Sequence, residues 1–265
     1  REMGDAGVRL YTFVVNIAGG TYRHTRPSWV APDVWDYTDL DARAAAVLSG
    51  DPDAMLMPRF YISAPQWWLE KHPEEVMVLH DGATKYAVEE MGLVTGVQYP
   101  SLGSTKWREA MAVALRNVID HIENSDYADR VFGYQLSGLA TEEWYHWGRS
   151  SSQMNDYSLP MTLAFRDWLR QRYGSVEKLR ESWADSTLEF DVVQIPTKQE
   201  RLGNRRAMFR DPVREMNVID FYSFYNEIIP DTIDYLAGVV KEATGGKKVV
   251  GAFYAFMFEF GGDPQ

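Results

Sequence analysis

Two adjacent glutamates, Glu142 and Glu143, are the residues of this sequence best placed to do acid–base chemistry. They follow an apolar segment typical of a buried strand, and an aromatic run at positions 144–147 follows them directly. A carboxyl group among aromatic rings loses hydration and can stay protonated, as a general acid must. Glycoside hydrolysis needs such an acid beside the glycosidic oxygen, and a second carboxylate across the sugar. The pair therefore indicates glycoside hydrolysis, although two solvated or ion-paired loop carboxylates would have the same spacing.

Other polar and aromatic side chains offer ways to hold a sugar. Arg59 is a charge in an otherwise apolar strand, where it needs a partner: a catalytic carboxylate, a sugar hydroxyl or a structural ion pair. Asn16 and Gln135 carry the paired donor and acceptor that sugar hydroxyls use. Each of the remaining candidates could stack on or border a sugar, or could simply pack in the core or lie on the surface: Trp67, Trp68, Trp144, Trp147, Tyr254 and Glu259.

The composition excludes several other chemistries. The 265 residues contain no cysteine, which excludes disulfides, zinc–thiolate sites and thiol nucleophiles. The five histidines lack metal-ligand spacing, and no Gly-x-Gly-x-x-Gly follows a strand-like segment, so we expect neither a metal nor another cofactor. A formal net charge of −11 argues against a nucleic-acid partner. No apolar run approaches the roughly 20 residues of a membrane helix, and the compartment, cytoplasmic or secreted, stays open.

Strands and helices alternate along the chain and must position these residues. Runs of β-branched and aromatic residues predict strands over 8–16, 55–62, 130–137 and 248–257. Apolar residues at helical spacing predict helices over 39–48, 105–124, 163–172, 175–183 and 220–243. Segments 64–103 and 199–211 are expected to be loops, the second with a solvated arginine cluster at 201–206. The alternation predicts parallel βαβ units, and the absence of a glycine fingerprint favours a (β/α)8 barrel over a doubly wound sheet.

Three segments resemble glycoside hydrolase family 42, the β-galactosidase-like enzymes. Residues 2–10 resemble the "Met-x-x-Ala-Gly-Val" entry to the second barrel strand of that family. Residues 64–74, with Trp67, Trp68 and Pro73, resemble the segment after its third strand. The most specific match, residues 165–183, resembles its helix pair after the fourth strand.

The resemblance implies an α/β fold, the (β/α)8 TIM barrel, of which this chain carries strands two to five. Residues 1–265 would form part of one catalytic barrel, with a long insertion, 138–247, between the fourth and fifth strands. In the family the acid/base glutamate follows the fourth strand and the nucleophile follows the seventh, so the nucleophile is expected outside this chain. Glu259 is the one internal substitute. Thr141 precedes the glutamate pair where the family has Asn-Glu; we favour Glu143 as acid/base, with Glu142 as the alternative.

The implied activity is that of a retaining glycosidase cleaving a β-linked sugar such as a galactoside. Its partner would be a carbohydrate substrate, with no cofactor, and homo-oligomers could form through domains outside this chain. A catalytically silent carbohydrate-binding barrel is one alternative. The other alternative is a barrel hydrolase acting on polysaccharide.

Overall fold

A curved parallel sheet organises the molecule. The computed structural model describes residues 2–19, 25–85, 96–139, 142–146, 154–203 and 209–254. Within them the strands are β1 (Leu10–Asn16), β2 (Trp29–Ala31), β3 (Val34–Trp35), β4 (Met55–Ile62), β5 (Gly133–Gly138) and β6 (Val249–Ala252). The main sheet has the order β1-β4-β5-β6, and every neighbouring pair is parallel. The four strands predicted from the sequence are these four, and β2 and β3 form a small hairpin that the sequence reading missed.

The helices connect the strands and cover one side of the sheet. In the described residues they are α1 (Glu2–Asp5), α2 (Thr38–Gly50), α3 (Gln66–Lys71), α4 (Thr105–Glu123), α5 (Leu159–Tyr173), α6 (Val176–Trp183), α7 (Lys198–Leu202) and α8 (Met216–Ala243). Ser104 and Ser175 cap α4 and α6 by accepting hydrogen bonds from backbone N–H groups in the first turn. None of the helices in these segments combines the length and apolarity that a bilayer-spanning helix needs.

Two segments predicted to be loops contain helices, and the prediction is wrong there for identifiable reasons. In segment 64–103, α3 forms because Trp68 and Leu69 can be buried together on a short helix. In segment 199–211, α7 forms because Thr197 and Glu200 make a capping box, in which each side chain accepts from the other residue's backbone N–H. Both signals are local, and both lie within stretches dominated by polar or loop-forming residues.

The hydrophobic core lies between the sheet and the helices. Side chains alternate between the two faces of a strand, and on β4 the fully buried Leu56 and Phe60 belong to the same apolar cluster as the α4 residues Met111 and Leu115. Arg59 occupies the opposite face of β4. The sheet thus buries an apolar face against α4, and its other face carries the polar side chains of Thr12, Arg59 and Gln135 beside that of Met57.

The polar face is concave. Thr12 on β1 donates a hydrogen bond to Oε1 of Gln135 on β5 at 3.5 Å, although β4 lies between these strands. Strands two apart in a flat sheet are about 10 Å apart, so the contact indicates a sheet curved toward this face. Thr12 is in register with Met57 of β4, and Gln135 is in register with Arg59 of β4. The two residues that form the hydrogen bond are therefore offset by two positions along the strands and separated by two strand spacings. This is the stagger of an eight-stranded barrel with a shear of eight, whose interior layers come from alternate strands.

The segment at 165–183, the most specific of the three resembling segments, builds a structural junction. The Tyr173 hydroxyl and the Trp183 indole N–H both donate to Oδ2 of Asp220, at 2.6 and 2.7 Å. Nε of Arg172 lies 3.2 Å from Oδ1 of the same carboxylate. Asp220 is completely buried in α8. The segment therefore fastens α5 and α6 to α8, which explains its residue types without a catalytic role.

Candidate active site

An ion pair joins the glutamate turn to the concave face of the sheet. Nη2 of Arg59 lies 3.0 Å from Oε2 of Glu142. The Glu142 side chain is 4% exposed and that of Arg59 is 29% exposed. Arg59 is in register with Gln135 of β5, the strand that leads into the turn. A guanidinium at this distance favours the ionised form of a buried carboxylate, so Glu142 is better suited to hold a negative charge than to donate a proton.

The backbone of the turn is strained. Leu139, Glu142 and Trp144 have φ values of 59°, 64° and 60°, in the left-handed region that residues with a side chain rarely adopt. Each such residue costs about 1–3 kcal/mol and persists only where surrounding contacts impose it. Strain of this kind is concentrated at functional sites, and here it lies at the carboxyl end of a barrel strand, where barrel enzymes carry their catalytic residues.

Trp144 provides contacts that impose this conformation. Its backbone N–H donates to the carbonyl oxygen of Gly138 at 2.9 Å, and its indole N–H donates to that of Leu136 at 3.1 Å. The side chain is fully buried and belongs to the main apolar cluster. The sequence marked Trp144 as a residue that could stack on sugar; the structure places its ring against β5.

Glu143 lies between these two anchored residues and is the partly exposed member of the glutamate pair. A general acid must reach the glycosidic oxygen of a bound sugar, so it must be accessible from the cleft. Glu142 is buried and paired with Arg59, whereas Glu143 is partly exposed. The turn therefore separates the two carboxylates by environment, one as a fixed negative charge and one as a candidate proton donor.

Asn16 and Gln135, the two predicted amide contacts, lie at different depths of the concave face. Asn16 ends β1 and is buried; its Nδ2 donates to Oγ1 of Thr25 at 3.2 Å, and its Oδ1 accepts from the Gly19 N–H at 2.7 Å. Its amide thus organises the loop after β1. Gln135 is partly exposed in the strand itself, beside Arg59 and in contact with Thr12.

The predicted aromatic contacts are placed mostly on the helix side of the sheet. Trp68 is buried in the apolar cluster, with its ring 4.6 Å from that of His72. The ring centres of Trp67 and Trp29 are 5.1 Å apart in an edge-to-face arrangement. Trp67 also borders a cleft of about 520 Å³ on the flank of α4. Tyr254, two residues after β6, is 51% exposed. Trp147 and Glu259 lie outside the described residues.

A buried network beneath the turn escaped sequence reasoning. The chain after Trp144 continues to His146, whose Nε2–H donates to the carbonyl oxygen of Tyr225 in α8 at 2.5 Å. Burial, together with the positive charge of Arg201, lowers the pKa of His146 to about 3. The imidazole is therefore neutral at ordinary pH. The partner of His146 lies on α8, 79 positions further along the chain, so the sequence gives no local signal for this contact.

Arg201 corrects a prediction. The sequence assigns it to a solvated arginine cluster, whereas it is 5% exposed. Its guanidinium lies 4.8–5.5 Å from the ring centres of four aromatic residues, and Nη1 donates to the carbonyl oxygen of Asn155 at 2.7 Å. Cation–π contacts of this geometry stabilise a buried arginine. The four rings are those of Tyr157, Phe221, Tyr222 and Tyr225.

Comparison with known proteins decides the family. The family model for glycoside hydrolase family 42, described as beta-galactosidase, matches residues 28–261. The chain belongs to this family. No curated protein sequence matches the chain. In the described part of this family-42 chain, no group of three or more acidic or histidine side chains is arranged to hold a metal ion.

Solved structures share the fold of this family-42 chain. The β-galactosidase from the psychrophilic Marinomonas ef1 matches with a TM-score of 0.64 at 16% identity, and that from the Antarctic haloarchaeon Halorubrum lacusprofundi with 0.62 at 20%. Each match covers 94% of this chain and 33% of the other. The catalytic domain of a β-amylase from Paenibacillus polymyxa matches with 0.62 at 14%, covering 94% and 60%. These matches confirm the predicted TIM-barrel fold, and the chain spans about a third of the length of the β-galactosidases.

Proposed function

We propose that this chain carries the acid/base half of the active site of a retaining glycosidase that cleaves a β-linked sugar such as a galactoside. Membership of family 42 supports this proposal. The observation that carries it is the strained turn after β5, which buries Glu142 against Arg59 and leaves Glu143 partly exposed. The proposed substrate class is carbohydrate, and the proposal includes homo-oligomers that form through contacts of other parts of the protein.

In the proposed mechanism Glu143 performs the proton transfers. It protonates the glycosidic oxygen while the bond to the sugar breaks, and in the second step it removes a proton from the attacking water. Retention requires a second carboxylate about 5 Å from the first as the nucleophile, and we expect that glutamate outside this chain. Glu142 stays ionised through its contact with Arg59, so it shapes the charge of the site without exchanging a proton.

The Arg59–Glu142 pair gives this division of roles a physical basis. The Arg59 guanidinium stabilises the ionised form of Glu142 relative to the protonated form, and a general acid must be protonated to act. It also ties β4 to the turn after β5, because the carboxyl ends of parallel strands meet at one edge of the sheet. Arg59 is thus proposed to orient the turn from the concave side.

The test compares Glu143→Gln and Glu142→Gln in the protein expressed from its complete gene, with phenyl and dinitrophenyl β-D-galactosides as substrates. General acid catalysis contributes about 10²–10⁴-fold. Glu143→Gln should therefore lower kcat/KM for the phenyl substrate by that range. It should have little effect on the dinitrophenyl substrate, whose leaving group needs no proton. Azide should restore turnover in Glu143→Ala, because it attacks the glycosyl–enzyme without a general base.

Three outcomes would contradict the proposal. The leaving-group effect in Glu142→Gln instead of Glu143→Gln would transfer the acid role to Glu142. A wild-type protein that binds sugars but hydrolyses neither substrate would be a silent carbohydrate-binding barrel. Hydrolysis of polysaccharide without hydrolysis of the aryl galactosides would replace the galactoside specificity.

A further inference from the structure

We propose that Trp144 is a positioning residue: its indole fixes the turn so that Glu143 faces the cleft. The inference rests on the proposed function, in which Glu143 is the general acid/base. It gives Trp144 a role that acts through another residue, by a contact with β5 instead of a contact with sugar. Three features of the turn carry the argument.

The first feature is that both N–H groups of Trp144 form hydrogen bonds with β5. The indole N–H donates to the carbonyl oxygen of Leu136, and the backbone N–H donates to that of Gly138 at the end of the strand. The ring is 1% exposed and lines a very small cavity with Tyr61 and Leu139. The two hydrogen bonds hold Trp144 against the end of β5, on the far side of Leu139 and Glu142, whose backbones are strained.

The second feature is Gly138, which allows the ring to lie this close. A Cβ atom on Gly138 would stand 3.1 Å from Cη2 of Trp144 and 3.2 Å from the carbonyl oxygen of Ile62 on β4. Both distances are tighter than ordinary contacts of a Cβ atom, and the Ile62 oxygen belongs to a paired strand. A side chain at position 138 would therefore displace the indole. Glycine within a strand commonly marks such a close approach.

The third feature is the location of Glu143 between two anchors. Glu142 is held by Arg59 on one side, and Trp144 is held by Leu136 on the other. Both neighbours have left-handed backbone conformations, so the direction of the chain at Glu143 depends on both anchors. Loss of the indole anchor allows the chain to relax and moves the carboxyl group. A misplacement of about 1 Å from a catalytic geometry can cost about 10²-fold in rate.

Trp107 provides a matched control for Trp144. It is also a buried tryptophan, and its indole N–H also donates to a backbone carbonyl oxygen, that of Ser63 directly after β4, at 3.1 Å. It lines the same small cavity. It belongs to α4, however, and in the part of the chain that the structure describes its N–H groups donate to Ser104 and Ser63 and not to residues 142–144. Trp107→Phe therefore removes the same kind of bond and the same volume without releasing residues 142–144.

The experiment measures kcat/KM for phenyl and dinitrophenyl β-D-galactosides in Trp144→Phe, Trp107→Phe and Glu143→Gln. A displaced general acid harms the substrate with the poor leaving group selectively. We expect Trp144→Phe to lose about 10²-fold on the phenyl substrate and less than about threefold on the dinitrophenyl substrate. Trp107→Phe should change both substrates by the same factor. If Trp144→Phe does not fold, Gly138→Ala, which shifts the ring by a few tenths of an ångström, should show the same selectivity at smaller size.

The results separate failure of the inference from failure of the proposed function. Equal losses on both substrates in Trp144→Phe, or a selective loss also in Trp107→Phe, would overturn the positioning role while the selective loss in Glu143→Gln leaves the acid/base assignment intact. Absence of a selective loss in Glu143→Gln would overturn the proposed function and the positioning role with it.

Discussion

Removal of the Arg59 guanidinium should destabilise the protein through the buried carboxylate that it leaves behind. In Arg59→Met the apolar stem is kept and the charge is lost, while Glu142 stays almost fully buried. Nη2 of Arg59 lies 3.0 Å from Oε2 of Glu142. Two unit charges about 4 Å apart attract each other by about 4 kcal/mol at an effective dielectric constant of 20. Because the arginine is partly hydrated, we expect the free energy of unfolding to fall by about 2–4 kcal/mol.

The two single variants should not be equivalent. Glu142→Gln leaves behind an arginine that is 29% exposed and can be hydrated, whereas Arg59→Met leaves behind a carboxylate that is 4% exposed. Arg59→Met should therefore be the more destabilising change. The double variant, Arg59→Met with Glu142→Gln, should lose less stability than the sum of the two, because neither charge is then left alone.

Urea denaturation of the four proteins measures this cycle directly. The expected coupling free energy is about 1–3 kcal/mol, in the range of contacting residues. In Arg59→Met the loss should shrink at low pH, because the unpaired carboxylate can then be buried in its neutral form. Strict additivity of the two changes, or a larger loss in Glu142→Gln than in Arg59→Met, would refute the argument from burial.

Two further predictions concern the helices that support the turn. The pKa of His146 is about 3 in the folded protein and 6.5 in the unfolded chain. Between these pH values the unfolded state binds more protons than the folded state, so the free energy of unfolding rises with pH across that range. Between pH 6.5 and pH 4.5 protonation of His146 in the unfolded chain should lower the free energy of unfolding by up to about 3 kcal/mol. His146→Gln keeps a hydrogen-bond donor and should lose less stability than wild type over that interval. Parallel curves of stability against pH would contradict this prediction. Asp220→Ala removes the acceptor of two partly buried donors, the Tyr173 hydroxyl and the Trp183 indole N–H, at a cost of up to about 1–3 kcal/mol each. Asp220→Asn keeps an acceptor and should cost clearly less in urea denaturation. Equal losses would show that the two donors find other partners.

The regular elements were largely predictable because their signals are local. The strand predicted over 55–62 has the same bounds as β4, and the helix predicted over 105–124 ends one residue beyond α4. The serine caps of α4 and α6 are local signals of the same kind, since a cap bonds within its own first turn. The hairpin of β2 and β3 was missed because strands of three and two residues are too short to show alternation.

The site was predictable only in part. The sequence singled out the glutamate pair and asked for a partner for Arg59, but it left a catalytic carboxylate, a sugar hydroxyl and a structural pair as equal possibilities. It could not separate aromatic residues that face a cleft from those that pack, because Trp67, Trp68 and Trp144 have the same residue type and similar surroundings in the sequence. Their burial depends on which face of the sheet they reach.

By itself the amino-acid sequence determined the order of strands and helices, the absence of cysteine chemistry and the resemblance to family 42, because each follows from composition or from neighbouring residues. Only the tertiary structure decided which glutamate is buried against Arg59 and which one stays accessible. Arg59 comes from β4 and the glutamates come from the turn after β5, and they meet because parallel strands end at one edge of a curved sheet. The strained turn adds a backbone direction that no local preference favours, imposed by Trp144 across Gly138.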